Sequence, residues 1–356
     1  MKWYYTVGED IYFNRLEATV RSNETHKPIY FHAPEGYKDF DFSKPITDSL
    51  EKISIELAQK LRDEHGRVIF WYSGGTDSDW LLDLYVQNNI QIDEIVCLKS
   101  GFKDSDFEIE NFAIPKLEKI KSQIPKTKIT IMQPTLQDYL DYYQNIDQDK
   151  IDKGCLNFGL FIRLIQQNFF MNYDKQDKDI IILAKEKPEI VKVDEIYYTY
   201  FVDVALEPNP ILYNFFIDEP HIHAKQSQLW LESIKAGKDN TYPDDRVYCL
   251  YGRDLNDYPD KAYYYGTDTS IVFNNRKIKF QNNKERCAIE YCIKNCPQVV
   301  ELWTKCLDKI IDMTGTRWWN EGHPEMLPVG VFSKFYCLDK KDTKTVDDLY
   351  PNGFKP

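Results

Sequence analysis

The sequence lacks any continuous apolar run of the roughly 18 residues that a membrane-spanning helix needs, so we expect no membrane span. Residues 1–10 also lack the apolar core of a secretory signal peptide. Cysteine is scarce, with 8 among 356 residues, which excludes a disulfide scaffold and indicates a reducing, cytoplasmic compartment. The six histidines carry little weight unless they cluster.

Basic residues are in deficit, since 45 Lys and Arg face 57 Asp and Glu and leave a net charge of −12. This balance argues against a broad surface for phosphate backbones, so a nucleic-acid partner is not expected. Hydrophobic residues make up 42% and charged residues 29%, as in a soluble globular protein. The length fits about two domains, or one α/β domain with additions.

Periodicity predicts three parts along the chain. Residues 1–45 contain short aromatic and β-branched runs typical of a small β-rich leader. Residues 46–190 begin with an amphipathic helix at 48–65 and then alternate strands with helices. The strands are predicted at 67–72, 93–98, 128–132 and 179–184, and the helices at 77–88, 106–123, 135–143 and 155–172. Buried strands separated by helices predict an α/β fold with a doubly wound, mostly parallel sheet.

The pattern changes near residue 190, and residues 191–356 read as an α+β extension. Segments 190–193 and 196–202 predict a hairpin, segment 221–235 a helix, and segment 284–314 one or two further helices. Tyr and Phe are dense in this part, and we interpret them as core packing. The boundary near 190 is soft because no linker marks it.

One short segment stands out as a candidate ligand site. It lies between a predicted buried strand and a predicted helix and consists of Ser73, Gly74, Gly75, Thr76, Asp77 and Ser78. Two glycines let the backbone turn sharply and approach a ligand closely. N–H groups at a helix start attract anions, and the three hydroxyl groups add donors. The segment therefore predicts a phosphate-binding loop.

Asp77 would repel a bare phosphate, so it suits either a bridging magnesium ion or a helix cap. The segment is not a Walker A loop, which needs Gly, four residues and then Gly-Lys-Ser or Gly-Lys-Thr. It also lacks the third glycine of a dinucleotide fingerprint. An ordinary capped strand–turn–helix junction is the plain alternative.

Residues 73–78 resemble the SGGxDS loop of the N-type ATP pyrophosphatases, the PP-loop enzymes of the HUP-like, adenine nucleotide alpha hydrolase-like group. The order of elements over about residues 65–190 is most similar to the synthetase domain of asparagine synthetase. Such enzymes cleave ATP to AMP and pyrophosphate and adenylate a carboxyl, amide or carbonyl oxygen. Asparagine synthetases carry a catalytic cysteine after the initiator Met, whereas this chain has Lys2 and no room for a glutaminase domain.

The resemblance implies ATP and Mg²⁺ as ligands and a role for each matched position. The loop would cradle the phosphates, Asp77 would hold magnesium, and Leu98 at the end of the second strand would face adenine. The family's Gly-rich acidic loop after the fourth strand is replaced here by residues 184–189. In that segment, Lys185 and Lys187 would stabilise the departing pyrophosphate, and Glu186 or Glu189 would help Asp77 hold the metal. A solvated charged turn is the plain alternative, and looser relatives carry a Lys-Pro loop at this place.

Weaker patterns keep other readings open. The cysteines at 287, 292, 296 and 306 form no CxxC pair and favour buried thiols over a metal cluster. Cys155 at a predicted helix start could be a reactive thiolate, although a core residue is the plain reading. His221 and His223 form a lone HxH pair, and His323 lies in an aromatic loop.

These patterns leave two alternatives to an adenylating ligase. One is a sulfur-transfer or sulfonucleotide-reductase type of PP-loop enzyme, and the other is a silent ATP-binding module. The acceptor, whether a small molecule or a macromolecule, stays unidentified, and a homo-oligomer stays open.

Overall fold

The structure of the chain is a computed structural model. It describes residues 3–13, 15–102, 106–145, 174, 176, 178–184, 188–201, 211–237, 249–252, 270–273, 276–279, 283–314 and 333–351.

Strands and helices alternate along much of the described chain. The strands are β1 (Tyr4–Val7), β2 (Asp10–Tyr12), β3 (Ile29–His32), β4 (Val68–Trp71), β5 (Glu94–Leu98), β6 (Lys128–Met132), β7 (Ile180–Leu183), β8 (Glu189–Val193), β9 (Ile196–Tyr200), β10 (Leu212–Asn214), β11 (Ser270–Phe273), β12 (Arg276–Lys279), β13 (Phe335–Cys337) and β14 (Thr343–Lys344). The α-helices are α1 (Arg15–Thr25), α2 (Leu50–Glu64), α3 (Thr76–Gln87), α4 (Ile114–Ile120), α5 (Leu136–Gln144), α6 (Pro220–Lys235), α7 (Asn283–Asn295), α8 (Pro297–Thr314) and α9 (Val346–Leu349). A 3₁₀ turn covers Glu35–Tyr37, and a π-helical turn over Ile109–Ala113 runs directly into α4.

The central sheet has five strands in the order β10-β7-β4-β5-β6, and all four neighbouring pairs are parallel. The α/β fold class predicted from the sequence is thereby confirmed. The chain runs from β4 outward to β5 and β6, and then returns to place β7 and β10 on the other side of β4. This reversal of direction is the order of a doubly wound sheet, and its switch point lies between β4 and β7.

The predicted leader contains a helix as well as strands. Strands β2, β1 and β3 form an antiparallel sheet, and α1 connects β2 to β3. The sequence analysis missed this helix because residues 15–25 contain few apolar residues, so the helical period is weak. Ala18 and Thr19 nevertheless lie buried on its inner face. Tertiary packing therefore specifies this helix more than its own pattern does.

The C-terminal part adds an antiparallel sheet and a helical pair. The predicted hairpin is present as β8 and β9, and β13 joins it at the β9 edge and pairs with β14. Segment 284–314 forms two helices, α7 and α8, separated at Cys296 before Pro297. The predicted helix at 155–172 lies outside the described residues. Within the described part of the chain, no helix is both long and apolar enough to cross a membrane.

Candidate nucleotide site

The glycine loop, residues 73–78, lies at the carboxyl end of the central strand. β4 ends at Trp71, Tyr72 extends the pairing by donating its N–H to Val96 O at 2.9 Å, and α3 begins at Thr76. Ligands of open α/β sheets bind outside the carboxyl ends of the strands, at the switch point. The loop occupies that position, because it follows β4 directly and the switch point lies between β4 and β7.

Gly74 gives the loop its shape. Its φ is +78°, in the region that favours glycine, and a Cβ there would lie 3.0 Å from Ala113 Cβ and 3.1 Å from Glu108 O. The π-helical turn at Ile109–Ala113 therefore packs directly against the loop. A Cβ on Gly75 would lie 3.4 Å from Glu108 Oε1, so this carboxylate flanks the loop. The helix predicted at 106–123 is thus the neighbour of the loop.

The serine hydroxyls of the loop bond to the loop itself. Ser78 Oγ, which is buried, donates to Gly75 O at 2.9 Å and lies 3.0 Å from Ser73 Oγ. Because Ser78 has only one hydroxyl proton, Ser73 must supply the proton of the Ser–Ser bond. Gly75 N also donates to Ser73 Oγ at 3.3 Å. These bonds hold the loop in one conformation before any ligand arrives.

The start of α3 provides the anion-attracting part of the site. Asp79 N donates to Gly75 O at 2.9 Å, which is the first hydrogen bond of the helix ladder. The backbone N–H groups of residues 76–78 precede it, and the helix has no carbonyl to accept from them. An anion at this end would meet these N–H groups and the positive end of the helix dipole.

Asp77 lies in the first turn of α3, while Gly75 takes the N-cap position, so Asp77 does not cap the helix. Its Oδ1 accepts a hydrogen bond of 2.8 Å from Tyr251 OH, 174 positions further along the chain. The Tyr251 ring stacks on Trp80 with centroids 4.8 Å apart and an angle of 26°. The carboxylate that the sequence assigned to the metal is therefore held from the C-terminal part of the chain.

A polar network lies behind the loop and fixes α3 to α4. Tyr72 OH donates to Asp79 Oδ1 at 2.7 Å, and Lys116 Nζ lies 2.6 Å from Asp79 Oδ1 and 2.7 Å from Asp83 Oδ1. Burial is the main cause that raises the pKa of Tyr72 well above its usual value, and the Asp79 charge adds to it. Tyr72 therefore stays a neutral hydrogen-bond donor. Lys116 of α4 pairs with both Asp79 and Asp83 and so connects α3 to α4.

Leu98 ends β5, the strand next to β4, and is half-buried among side chains on one face of the sheet. The turn after it is tightly bonded: Asp106 accepts from Ser100 N at 2.6 Å and from Gly101 N at 2.8 Å. A Cβ on Gly101, whose φ is +79°, would lie 2.7 Å from Pro134 O. The structure thus brings Leu98 and the glycine loop to the same edge of the sheet, on neighbouring strands.

The second predicted loop starts beside the first. Trp71 of β4 and Leu183 of β7 are paired across the parallel ladder, so Ala184 leaves the sheet at the same edge as Ser73. Lys185, Glu186 and Lys187 lie outside the described residues, and their roles stay predictions. Cys155 and His323 also lie outside them.

A single carboxylate with nucleotide phosphates is a normal ligand set for Mg²⁺, which keeps several waters and binds through few protein groups. Asp77 lies in the first turn of α3, two positions after Gly75 of the loop, and its carboxylate fits that requirement. Among the described residues, no group of three or more His, Cys, Asp or Glu side chains is arranged to hold a metal by itself.

Two of the remaining candidate ligands, His223 and Cys292, are core residues, whereas His221 is exposed. His223 is fully buried, with Nε2 3.0 Å from Thr199 Oγ1 and Nδ1 3.3 Å from Tyr37 OH, so both ring nitrogens are engaged. Cys292 is buried in the cluster of α5, α7 and α8, and burial raises its pKa to about 12. The HxH pair therefore gives no metal site, and Cys292 is a structural thiol.

Sequence reasoning missed Tyr251 altogether. It follows Tyr248, Cys249 and Leu250 in an aromatic part of the chain, and nothing local connects it with residue 77. An open pocket of about 460 Å³ lies beside it, bounded by the start of α2, Trp80 on α3 and Lys225 on α6. Trp80 belongs to α3, the helix that begins at the glycine loop, and Tyr251 bonds to Asp77 of that loop. Because both residues line the pocket, the pocket and the glycine loop lie at the same edge of the sheet.

No protein-family model matches the sequence. No curated protein matches it either. One similar solved structure is the NH₃-dependent NAD synthetase from Campylobacter jejuni, at 12% identity and a TM-score of 0.28, covering 62% of this chain and 98% of the synthetase. Another is the U34-tRNA thiolase NcsA from Methanococcus maripaludis, at 11% identity and a TM-score of 0.24, covering 73% of this chain and 80% of the thiolase. Both TM-scores are low, so neither likeness assigns an activity to this chain.

Proposed function

We propose that the chain is an ATP-dependent adenylating enzyme of the PP-loop type. It would cleave ATP to AMP and pyrophosphate and activate an acyl, amide or carbonyl group for attack by a nucleophile. The observation that carries the proposal is the glycine loop at the carboxyl end of the central strand, at the switch point of a parallel sheet. Few other ligands need a close backbone approach, a helix N-terminus and a metal-binding carboxylate together.

The chain's own groups would act by positioning and by stabilising charge. The backbone N–H groups of residues 76–78 and the dipole of α3 would hold phosphate oxygens, and Gly74 and Gly75 would allow the close approach. Asp77 would hold Mg²⁺, and Glu186 would assist it. The ion supplies positive charge that offsets the charge of the phosphates. Leu98 would border the adenine.

Lys185 and Lys187 would stabilise the pyrophosphate as it leaves, because their segment starts beside the glycine loop. The pocket next to Trp80 and Tyr251 is our candidate place for the acceptor, since it lies at the same edge of the sheet and has a size typical of small-molecule sites. No side-chain nucleophile is required for adenylation by this route.

A sulfur-transfer activity would need a reactive thiolate, which a depressed pKa provides. Burial raises the pKa of Cys97 and of Cys292 to about 12, so both are neutral thiols at physiological pH. Neither of these two cysteines is the thiolate that sulfur transfer would need, whereas Cys155, the candidate from the sequence, lies outside the described residues.

The test uses ATP labelled on the α-phosphate, Mg²⁺ and a small-molecule extract, and separates the nucleotide products. We expect the wild-type chain to form AMP and Asp77→Ala to lose about 100-fold or more of that rate, because the charged metal ligand is removed. Asp141→Ala, an exposed carboxylate on α5, is the matched control and should keep the rate.

ADP as the product would contradict the proposed bond cleavage. ATP that binds but stays intact across varied extracts would contradict an enzyme and favour the silent binding module. Equal AMP formation by Asp77→Ala would remove Asp77 from the site.

A further inference from the structure

Tyr251 connects three segments that are far apart in the sequence. Its hydroxyl lies 2.8 Å from Asp77 Oδ1 and 3.4 Å from Gln226 Nε2 of α6. Its ring stacks on Trp80 of α3 at 4.8 Å and lies 5.9 Å from the Phe216 ring. The tyrosine is thereby fixed both at its polar tip and on its face.

The direction of the two hydrogen bonds follows from the donor groups. An amide Nε2 can only donate, so the Tyr251 oxygen accepts from Gln226. The one hydroxyl proton is then used for the bond to Asp77, where a charged acceptor makes the stronger bond. Gln226 is fully buried, which keeps its side chain in place behind the tyrosine. The result is a chain of donors that runs from α6 to the glycine loop.

Asp77 and Trp80 are three positions apart on α3, so their side chains lie on the same face of the helix. Tyr251 contacts both of them, one through its hydroxyl and the other through its ring. The hydrogen bond from Tyr251 favours the Asp77 rotamers that keep Oδ1 within reach of the hydroxyl. The carboxylate therefore has a preferred position before a ligand binds.

We infer that Tyr251 is a positioning residue that holds the Asp77 carboxylate ready for the metal carried by the nucleotide. The inference rests on the proposed function and deepens it, because it assigns a distant residue to the same site. Preorganising one ligand lowers the entropy cost of binding. The hydroxyl therefore affects how much Mg²⁺ the site needs more than it affects the maximal rate.

The test is a Mg²⁺ titration of Tyr251→Phe at saturating ATP, followed both by AMP formation and by calorimetric binding of ATP. The substitution removes the hydroxyl and keeps the stacked ring. We expect the half-saturating Mg²⁺ concentration to rise about tenfold, the size of one lost bond to a charged group, while the rate at saturating Mg²⁺ stays near wild type. Tyr197→Phe on β9 is the matched control and should leave the Mg²⁺ requirement unchanged.

Two outcomes would overturn the inference. An unchanged Mg²⁺ requirement in Tyr251→Phe would mean that the ring alone matters, and a lower requirement would mean that the hydroxyl competes with the metal. Tyr251→Leu, which removes the stack as well, separates a packing defect from these effects through its urea midpoint. If the wild-type chain binds ATP with Mg²⁺ but forms no AMP, the proposed function fails and the binding titration still decides the role of Tyr251.

Discussion

His223 is an uncharged imidazole in the core of the molecule. It is fully buried among aromatic rings, with Phe201 at 5.3 Å and Phe42 at 5.1 Å between ring centroids. Loss of solvent lowers its pKa to about 3, and the hydroxyls of Thr199 and Tyr37 bond to its nitrogens. A proton taken up by this ring would have to be buried without a counter-charge, which is costly.

We predict that this histidine makes the fold acid-sensitive. The unfolded chain protonates His223 near pH 6.5 and the folded chain only near pH 3, so the folded state loses stability as the pH falls between these values. The contribution is about 2 kcal/mol between pH 7 and pH 5. Urea unfolding at both pH values measures it.

His223→Gln is expected to be less stable at pH 7, because it disturbs the packed ring, but to show a smaller loss on acidification. The exposed His221→Gln, two positions away, should keep the wild-type loss. An equal loss in His223→Gln and wild type would show that other groups cause the acid sensitivity.

The residues of the candidate site differ in how far the sequence specifies them. The glycine loop could be predicted because its glycines, hydroxyls and carboxylate are consecutive and lie between a strand and a helix. Tyr251 could not, because its role comes from a contact across 174 positions. The hydroxyls of Ser73 and Ser78 were expected to face a ligand, but which atom a hydroxyl bonds depends on loop geometry that a motif does not contain.

At the scale of elements, the glycine loop packs closely against the π-helical turn. A π turn inserts an extra residue into a helix and commonly occurs at functional sites. Here it places Ala113 and the Glu108 carbonyl against Gly74. The two elements leave no space for a side chain at that position.

Gly74→Ala should therefore destabilise the fold by about 3 kcal/mol, the sum of backbone strain at positive φ and overpacking. The added methyl would also shift the loop, so we expect weaker ATP binding. Gly237→Ala is the matched control, because its φ is +74° but nothing lies within 4 Å of the added Cβ, and it should cost only about 1 kcal/mol.

Urea unfolding of both variants measures the difference. Similar losses for Gly74→Ala and Gly237→Ala would mean that the π turn moves aside easily, and would contradict a rigid contact.

The elements that the sequence predicted best are the buried parallel strands. β6 matches its predicted range, β5 begins one residue later than predicted, and β4 and β7 are each one residue shorter at both ends, because continuous apolar runs bounded by charged residues mark such strands clearly. β10 was missed because it has only three residues and follows Pro208 and Pro210. β10 is an edge strand that pairs with β7, and this pairing between distant segments cannot be predicted from the local sequence pattern.

At the scale of the whole molecule, the leader is part of the main core. Trp3 stacks on Phe31 with centroids 5.0 Å apart and meets Phe201 edge-on at 4.5 Å. Its indole Nε1 donates to Asp218 Oδ1 at 2.6 Å, across 215 positions. One cluster of buried side chains also includes residues of β4 and α2. The three parts predicted along the chain are thus in direct contact, while the exact domain boundaries stay a prediction.

This contact predicts that the leader and the central sheet unfold together. Trp3→Phe keeps most of the ring packing but removes the indole N–H, so it should cost about 1–3 kcal/mol through the lost hydrogen bond to the charged Asp218 carboxylate. Asp218→Asn, alone and combined with Trp3→Phe, completes a double-mutant cycle whose coupling energy we expect to be about 1 kcal/mol. Urea unfolding followed by far-UV circular dichroism and by tryptophan fluorescence should give coincident curves, as a cooperative transition requires. A separate early transition in fluorescence, or additive effects in the cycle, would mean that the leader is only loosely attached to the core that supports the glycine loop.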